Sequence, residues 1–322
     1  MVSDGGEAMM KLHILMTAWL LALPTTLPAK ADQNSTPAAL QAPVADEDCT
    51  LPPGWDAVEQ RDPRFILFGE LHGTDQSPAF FGRVVCALAM RGQRLLIGVE
   101  HDSMQNAAFQ AAWALPPAQF GEALGKAGWL GRSDGVASRA MFAMLVRLHR
   151  LKSAGYPISI TAFNGAKDEQ QEMKFAHLSG QNPHEAAQAE NIRNAADGGV
   201  FDRVLILVGG AHAKKTPMQR ANFLFEPMAM KLAPADQILS LDMRYAGGSS
   251  WHCTMKSGAK IGADGRPPLG AVQCGSVVSP ELTDLDRPDF IALAPFPGEK
   301  RDNGFDGFYW LGRINASPPA IE

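Results

Sequence analysis

Four short apolar runs, each followed by polar or ionisable residues, constrain the fold of this chain more than any other feature. They lie at positions 65–68, 95–99, 158–163 and 204–208. Three of the four are apolar at successive rather than alternate positions, which is typical of strands that are covered on both faces of a sheet. The runs therefore predict a sheet buried between layers of helices.

Helical patterns separate these runs. Ser77 as N-cap with Pro78 at the first helical position predicts a helix that ends at position 90. Apolar residues at helical spacing predict a second helix over 141–151, and 186–196 predicts a third. This alternation predicts the α/β class, with a mostly parallel central sheet flanked by helices and joined by right-handed crossovers.

The chain after position 212 is richer in Gly and Pro. Apolar runs at 237–243, 290–293 and 308–311 predict additional C-terminal strands, with an antiparallel strand at one edge of the sheet. We expect the segment 247–280 to be a long excursion of the chain on the protein surface.

The N-terminal region predicts export. An apolar stretch over 12–27 is followed by Ala29-Lys30-Ala31, which predicts a signal peptide over 1–31 with cleavage after Ala31. A membrane anchor is the alternative. Residues 32–46 contain almost no large apolar groups and predict a flexible tether, and 47–322 has the length of a single α/β domain. We expect a periplasmic or secreted protein with no stable membrane insertion after cleavage, because no other stretch reaches 18 apolar residues.

Charge and cysteine usage narrow the function classes. The formal net charge is −5, and the longest basic run is Lys214-Lys215, so the chain lacks the electrostatic footprint of a nucleic-acid binder. Four cysteines in an exported chain favour disulfides, first of all between Cys253 and Cys274. Cys86 lies in an apolar run and could equally be a buried free thiol.

Ionisable side chains follow the ends of the predicted strands. Glu70 and His72 come after the first run, Glu100 after the second and His212 after the fourth. Ligands bind beyond the carboxyl ends of strands in open parallel sheets, so these four side chains predict one site. Singly, Glu100 could cap a helix and His212 could be a structural histidine. Secondary candidates are His101, which could also point away from the cleft, Arg83, Asn164, Lys214 and Asp306.

No serine-hydrolase elbow, phosphate-binding loop, dinucleotide fingerprint or zinc-protease helix motif occurs in the sequence. Glu and His chemistry remains, which means an activated water or a bound metal or cofactor. The other histidines lie in surface-like contexts and receive no role. They are His149, His177, His184 and His252.

Three motifs in this order resemble the erythromycin esterase, ChaN and Tiki/TraB superfamily. They are Phe-Gly-Glu-Leu-His-Gly-Thr at 68–74, Gly-Val-Glu at 98–100 and Val-Gly-Gly-Ala-His at 208–212. The Glu-x-His spacing is that of the ChaN-like branch. Where the esterases have Arg-Asp, this chain has His184-Glu185. The resemblance implies an α/β fold with a cleft in which the matched Glu and His residues act. Its members include hydrolases, metal-dependent peptidases and a haem-binding lipoprotein.

The expected function is therefore an exported hydrolase that activates water against an ester or amide of a small molecule or peptide. We expect His72 to be the base, Glu70 or Glu100 to orient it, and His212 to face the substrate carbonyl, without a metal. Alternatively, the same four side chains hold Zn²⁺ or Mn²⁺. A third reading is a haem-binding or other ligand-binding periplasmic protein of the ChaN type without catalytic activity, in which histidine ligates the haem.

Overall fold

A computed structural model describes residues 49–220, 223–260, 268, 270–301 and 303–321. The predicted signal peptide and tether lie outside the described residues. The described residues all belong to one compact unit. None of the helices among them is long and apolar enough to cross a membrane.

The elements follow the predicted alternation of strand and helix. The strands are β1 (Phe65–Glu70), β2 (Leu95–Asp102), β3 (Ile158–Asn164), β4 (Arg203–Gly209), β5 (Met218–Arg220), β6 (Phe223–Phe225), β7 (Ile238–Arg244), β8 (Gly247–Met255), β9 (Val272–Ser279), β10 (Phe290–Ala292), β11 (Gly307–Trp310) and β12 (Arg313–Ile314). The helices are α1 (Trp55–Arg61), α2 (Gln76–Met90), α3 (Asn106–Trp113), α4 (Pro117–Gly128), α5 (Arg139–Ser153), α6 (Glu169–Phe175), α7 (Asn182–Asp197), α8 (Gly210–Ala213) and α9 (Met228–Leu232).

Seven strands form the central sheet, in the order β10-β11-β7-β1-β4-β2-β3. Every neighbouring pair is parallel except β10 and β11, which are antiparallel at one edge. The predicted α/β class, the mostly parallel sheet and the additional C-terminal strands are confirmed. Strands β1, β4 and β2 are adjacent near the middle of the sheet, so their carboxyl ends meet.

Helices cover both faces of this sheet. Ile66 and Phe68 of β1 pack in the apolar core that includes α2 and α5, whereas Phe65 and Leu67 pack in the core that includes α7 and α9. Successive side chains of a strand point to opposite faces, so a strand covered on both faces must be apolar at every position. The continuous apolar runs of the sequence have this cause.

Helix starts differ from those expected. α2 begins at Gln76, and the buried hydroxyl of Ser77 lies 3.1 Å from that of Tyr309 instead of capping the helix. α7 begins at Asn182, four residues before the predicted start, because Pro183 is tolerated in a first helical turn.

The described residues of the segment 247–280 form regular strands rather than an irregular excursion, although most side chains of the second strand are exposed or half-buried. Strands β8 and β9 pair as an antiparallel hairpin, and β12 extends them to a three-stranded sheet. Gly and Ser fill the start of β8, which weakens its strand signal in the sequence.

Both pairs of cysteines form disulfides. Cys253 and Cys274 lie directly opposite each other in the hairpin and are bonded, which confirms that pairing. Cys86 of α2 is bonded to Cys49, so the free-thiol alternative for Cys86 is wrong. This second disulfide ties the chain before α1 to the core helix α2.

Candidate functional site

The structure brings the four main candidate residues together at the carboxyl ends of three adjacent strands. Glu70 is the last residue of β1, and His72 follows it by two positions. Glu100 lies near the end of β2, and His212 lies in the short helix α8 that follows β4. Parallel pairing of β4 with both β1 and β2 places these side chains in one cluster.

His72 lies between two carboxylates. Its Nδ1 is 2.8 Å from Oε1 of Glu70, and its Nε2 is 3.3 Å from Oε2 of Glu100. Burial disfavours the charged ring, but Glu100 and Glu70 outweigh burial and raise the pKa of His72 well above its ordinary value. This arrangement favours the protonated ring, which can donate to Glu70 through Nδ1 and forms an ion pair with Glu100 through Nε2.

Glu100 lies at the centre of the cluster. The backbone N–H of Gly209 donates to its Oε2 at 2.7 Å. Burial opposes ionisation, but His72, then His212 and this N–H, lower the pKa of Glu100 to about 2. The alternative of a helix cap is wrong, because Asp102 accepts the N–H of Met104 at the start of the following 3₁₀ turn.

His212 has a carboxylate partner that the sequence analysis did not identify. Its Nδ1 is 2.8 Å from Oε2 of Glu185, which also accepts the backbone N–H of Met228 at 2.8 Å. The Nε2 of His212 is 3.6 Å from Oε1 of Glu100. Burial lowers the pKa of His212, but Glu185 and Glu100 outweigh it and raise that pKa.

One signal in the sequence could have identified Glu185. It shares a helical stripe with Ala189 and Ile192, and all three are fully buried on α7. A carboxylate on the apolar face of a helix needs a buried partner. Here the partner is His212.

One histidine predicted to be surface-like is not, and another lies beside the cluster. The side chain of His184 is exposed, as expected, although its ring centroid lies 6.2 Å from that of His212. Partial desolvation lowers the pKa of His184. His149 is fully buried and stacks on Phe120 at 3.8 Å between ring centroids, because it lies beside the apolar stripe of α5.

His101 points away from the cluster, since it is one residue out of phase with Glu100. Its buried ring lies 4.2 Å from that of Trp129, and its Nδ1 is 3.2 Å from Arg132. Burial and the Arg132 charge lower the pKa of His101 to about 3.

The remaining secondary candidates lie in other environments. Asn164, at the end of β3, accepts from Nε2 of Gln188 at 3.2 Å. Lys214 packs against Gly304. Arg83 forms an ion pair with Asp289. Asp306 pairs with Lys215 at 2.6 Å and with Arg61 at 2.9 Å. The ion pairs of Arg83 and Asp306 therefore involve no member of the Glu/His cluster.

The hairpin β8–β9 braces the loop that carries His72. The N–H of Trp251 donates to the carbonyl of Gly73 at 2.8 Å, and the indole N–H donates to the carbonyl of Ser133 at 2.8 Å. A side chain at Gly73 would overlap the Trp251 carbonyl, and the φ of Gly73 is +71°. Glycine is therefore required beside His72.

Among the residues that the structure describes, no three His, Cys, Asp or Glu side chains are placed to hold a metal ion. The Nδ1 atoms of His72 and His212 each lie 2.8 Å from a carboxylate oxygen, and the Nε2 atoms of both rings approach Glu100, at 3.3 and 3.6 Å. In this arrangement the ring nitrogens contact carboxylates, and the side chains do not form a ready set of metal ligands.

Solved structures of low sequence identity share this fold. An erythromycin esterase, EreC, in its open conformation is 11% identical over 83% of this chain and 94% of its own, with a TM-score of 0.56. A succinoglycan biosynthesis protein is 9% identical over 82% of this chain and 92% of its own, with a TM-score of 0.53. The haem-binding ChaN of Campylobacter jejuni is 13% identical over 60% of this chain and 86% of its own, with a lower TM-score of 0.35.

No protein-family model matches the chain, and no curated protein matches its sequence. The structural similarity nevertheless extends over more than four-fifths of the chain. The chain therefore has the fold of erythromycin esterase, which confirms the predicted resemblance at the level of fold.

Proposed function

We propose that this protein is an exported hydrolase that activates water against an ester or amide bond of a small molecule or peptide. The observation that carries the proposal is a continuous chain of carboxylates and imidazoles. It runs Glu70, His72, Glu100, His212, Glu185, and its closest N···O distances are 2.8, 3.3, 3.6 and 2.8 Å in that order.

This chain supplies the parts that hydrolysis requires. A neutral imidazole can take a proton from water, and a carboxylate on its other nitrogen fixes its tautomer and stabilises the imidazolium. A second, charged imidazole can stabilise the oxyanion of the tetrahedral intermediate. Because the carboxylates are buried and the rings are about one-quarter to one-fifth exposed, at 26% and 21%, the rings are the groups that a substrate can reach.

Export is part of the proposal. The two disulfides suit an oxidising compartment such as the periplasm or the extracellular space. Mature protein isolated from that compartment should begin near Asp32 and contain no free thiol. If intact-mass analysis found four free thiols in protein from that compartment, the prediction of an exported, disulfide-bonded protein would be contradicted.

The catalytic test uses purified mature protein and a broad panel of esters and amides. We expect His72→Ala and Glu100→Gln each to remove nearly all turnover, by about 100-fold or more, while the fold survives. The double variant should lose little more than either single one, because residues that act as a unit are not additive. Matched controls are the exposed His177→Ala and Glu122→Gln, which should retain wild-type turnover. Full activity in His72→Ala would contradict the site.

Two further measurements separate the alternatives. We expect activity to survive dialysis against a chelator, and stoichiometric metal whose removal abolishes activity and whose return restores it would overturn the metal-free form. A haem absorption band that appears on adding haem and is lost in His72→Ala, without turnover of any substrate, would favour a ligand-binding protein instead.

A further inference from the structure

We propose that His212, rather than His72, accepts the proton of the attacking water, and that Glu185 is the positioning residue that keeps Nε2 of His212 available for it. This inference rests on the proposed hydrolase function. It reverses the roles expected from the sequence, in which His72 is the base and His212 faces the substrate carbonyl.

The geometry of His72 does not suit a base. Both of its nitrogens contact a carboxylate: Nδ1 is hydrogen-bonded to Glu70 at 2.8 Å, and Nε2 forms an ion pair with Glu100 at 3.3 Å. An ionised carboxylate can only accept, so a ring placed between two of them holds a proton on each nitrogen. His72 would have to break one of these contacts before it could accept a proton from water.

The geometry of His212 does suit a base. Its Nδ1–H donates to Glu185 at 2.8 Å, which leaves the neutral ring with its lone pair on Nε2. The 3.6 Å between Nε2 and Oε1 of Glu100 exceeds hydrogen-bonding distance. A water about 2.8 Å from each of these two atoms would therefore donate one proton to Nε2 and the other to Glu100.

Glu185 is held in place by the packing of helices. It lies on α7, it is fully buried, and the same oxygen that contacts His212 accepts the N–H that begins α9. Its position is therefore set by the packing of α7 against α9. A buried carboxylate on Nδ1 of a partly exposed imidazole is the arrangement that orients a general base.

The charges around the two rings support the same order of proton loss. The groups that face His212 are Glu185 and His184 on α7, Glu100 on β2 and His72 after β1; Arg220 on β5 stacks on Phe225, the ring neighbour of His212. Burial disfavours both imidazolium ions, and the neighbouring carboxylates raise the pKa of each ring. His72 has carboxylate oxygens at 2.8 and 3.3 Å, whereas His212 has one at 2.8 Å and the next at 3.6 Å, so we expect His212 to become neutral while His72 stays charged.

The chemical step balances without an added reagent. The water oxygen bonds to the carbonyl carbon, its proton moves to Nε2 of His212, and the carbonyl electrons move to the oxygen, where the charged His72 stabilises them. The carbonyl then re-forms and the bond to the alcohol or amine breaks. The leaving group takes the proton from Nε2 of His212, which restores the resting ring.

The first test needs no substrate. The full-length mature protein is labelled with ¹⁵N-histidine. The NMR signals of His72 and His212 are assigned by their absence from the spectra of His72→Ala and His212→Ala, and the two signals are then followed as the pH is changed. We expect His212 to lose its proton at lower pH than His72, and to lose it from Nε2. Loss of the first proton from His72, or loss from Nδ1 of His212, would overturn the proposal.

Two matched variants then separate the rings. Glu185→Gln keeps an oxygen for the Met228 N–H, so the fold should survive, and it should lower the pKa of His212 but not that of His72. Glu70→Gln should do the reverse. An unchanged His212 titration in a folded Glu185→Gln variant would show that Glu185 does not position the ring.

Kinetics supply the second readout once the panel gives a substrate. We expect Glu185→Gln to lower kcat/KM by about 100- to 10,000-fold and to move the acid limb of the pH profile to lower pH. Glu70→Gln should leave the acid limb in place and move the alkaline limb. An acid limb that follows Glu70→Gln would return the base to His72. If the wild-type protein hydrolyses nothing on the panel, the proposed function fails, while the NMR titration still decides which histidine releases its proton first.

Discussion

At the scale of single residues, Gly209 shows how closely the cluster is packed. Its N–H holds Glu100, and its backbone has a φ of −53° that any residue can adopt. A Cβ built on Gly209 would lie 2.9 Å from Nε2 of His72 and 3.5 Å from Oε2 of Glu100. The absence of a side chain, rather than an unusual backbone, is what the site requires.

We therefore predict that Gly209→Ala displaces the ring of His72 from Glu100. The expected result is a loss of turnover of at least ~10-fold, because misplacement of a reacting group by a fraction of an ångström impairs orientation. Overpacking should also lower the free energy of unfolding by about 1–3 kcal/mol. Gly275→Ala is the control, since nothing lies within 4 Å of a Cβ there. Equal turnover in the two variants would mean that the ring can move without consequence.

The sequence predicts single site residues well where they end an apolar run. Glu70, Glu100 and His212 could be named because the carboxyl edge of a parallel sheet collects whatever follows its strands. Glu185 could not be named in this way, because its contact with His212 depends on how α7 lies against β4. Spacing along the chain carries no information about that packing.

At the scale of elements, the hairpin β8–β9 acts as a brace for the loop after β1. The carbonyl of Gly73 accepts two N–H groups at 2.8 Å, from Trp251 of the hairpin and from Ser317. The disulfide between Cys253 and Cys274 fixes the pairing of the two hairpin strands two residues beyond Trp251. The position of His72 is thus linked to the integrity of the hairpin.

We predict that the double variant Cys253→Ser/Cys274→Ser is less stable than the wild type by about 3 kcal/mol, the chain-entropy value for a loop of this length. The Trp251 indole N–H should also exchange faster with solvent. Urea unfolding and hydrogen exchange by NMR measure the two effects. The wild type in non-reducing buffer is the reference, and equal stability and equal exchange would contradict the brace.

The prediction of elements from the sequence has a similar limit. Strands covered on both faces are apolar throughout and were located to within a few residues. The hairpin was missed because Gly247, Gly248, Ser249 and Ser250 carry little apolar surface, and its stability comes from pairing and a disulfide. The local pattern of apolar residues identifies strands that are buried. It does not identify strands whose stability comes from pairing with a neighbouring strand or from a disulfide.

At the scale of the whole molecule, sheet order follows from tertiary packing. Strand β7 lies beside β1, although more than 160 residues separate Phe65 from its partner Ile238. Hydrophobic periodicity predicts the class of such a sheet but not which strand lies next to which. The same packing buries His101 and His149 and joins His72 to Glu100, so ionisable groups far apart in the chain influence the stability of one core.

The pH dependence of stability follows from these groups. In the unfolded chain, His101 binds a proton below about pH 6.5, whereas in the folded protein its pKa is about 3 and it stays neutral. The free energy of unfolding therefore falls as the pH falls from 6.5 towards 3. The lowered pKa of His149 acts in the same direction. Glu100, with a pKa of about 2 against an ordinary 4.5, adds a further loss only below pH 4.5. His72 has a raised pKa, so its stabilisation is complete below pH 6.5 and is lost as the pH rises through that raised value.

The window between pH 4.5 and 6.5 therefore isolates the buried histidines, and we predict that His101→Phe flattens the stability profile there. Phenylalanine keeps the contacts with Trp129 and Phe109 but binds no proton. Removing one proton from the linkage should reduce the slope of unfolding free energy against pH by at most about 1.4 kcal/mol per pH unit. Urea unfolding at several pH values measures this slope, with the exposed His177→Ala as the control. An unchanged slope in His101→Phe would mean that protonation of this buried ring does not cause the loss of stability at low pH.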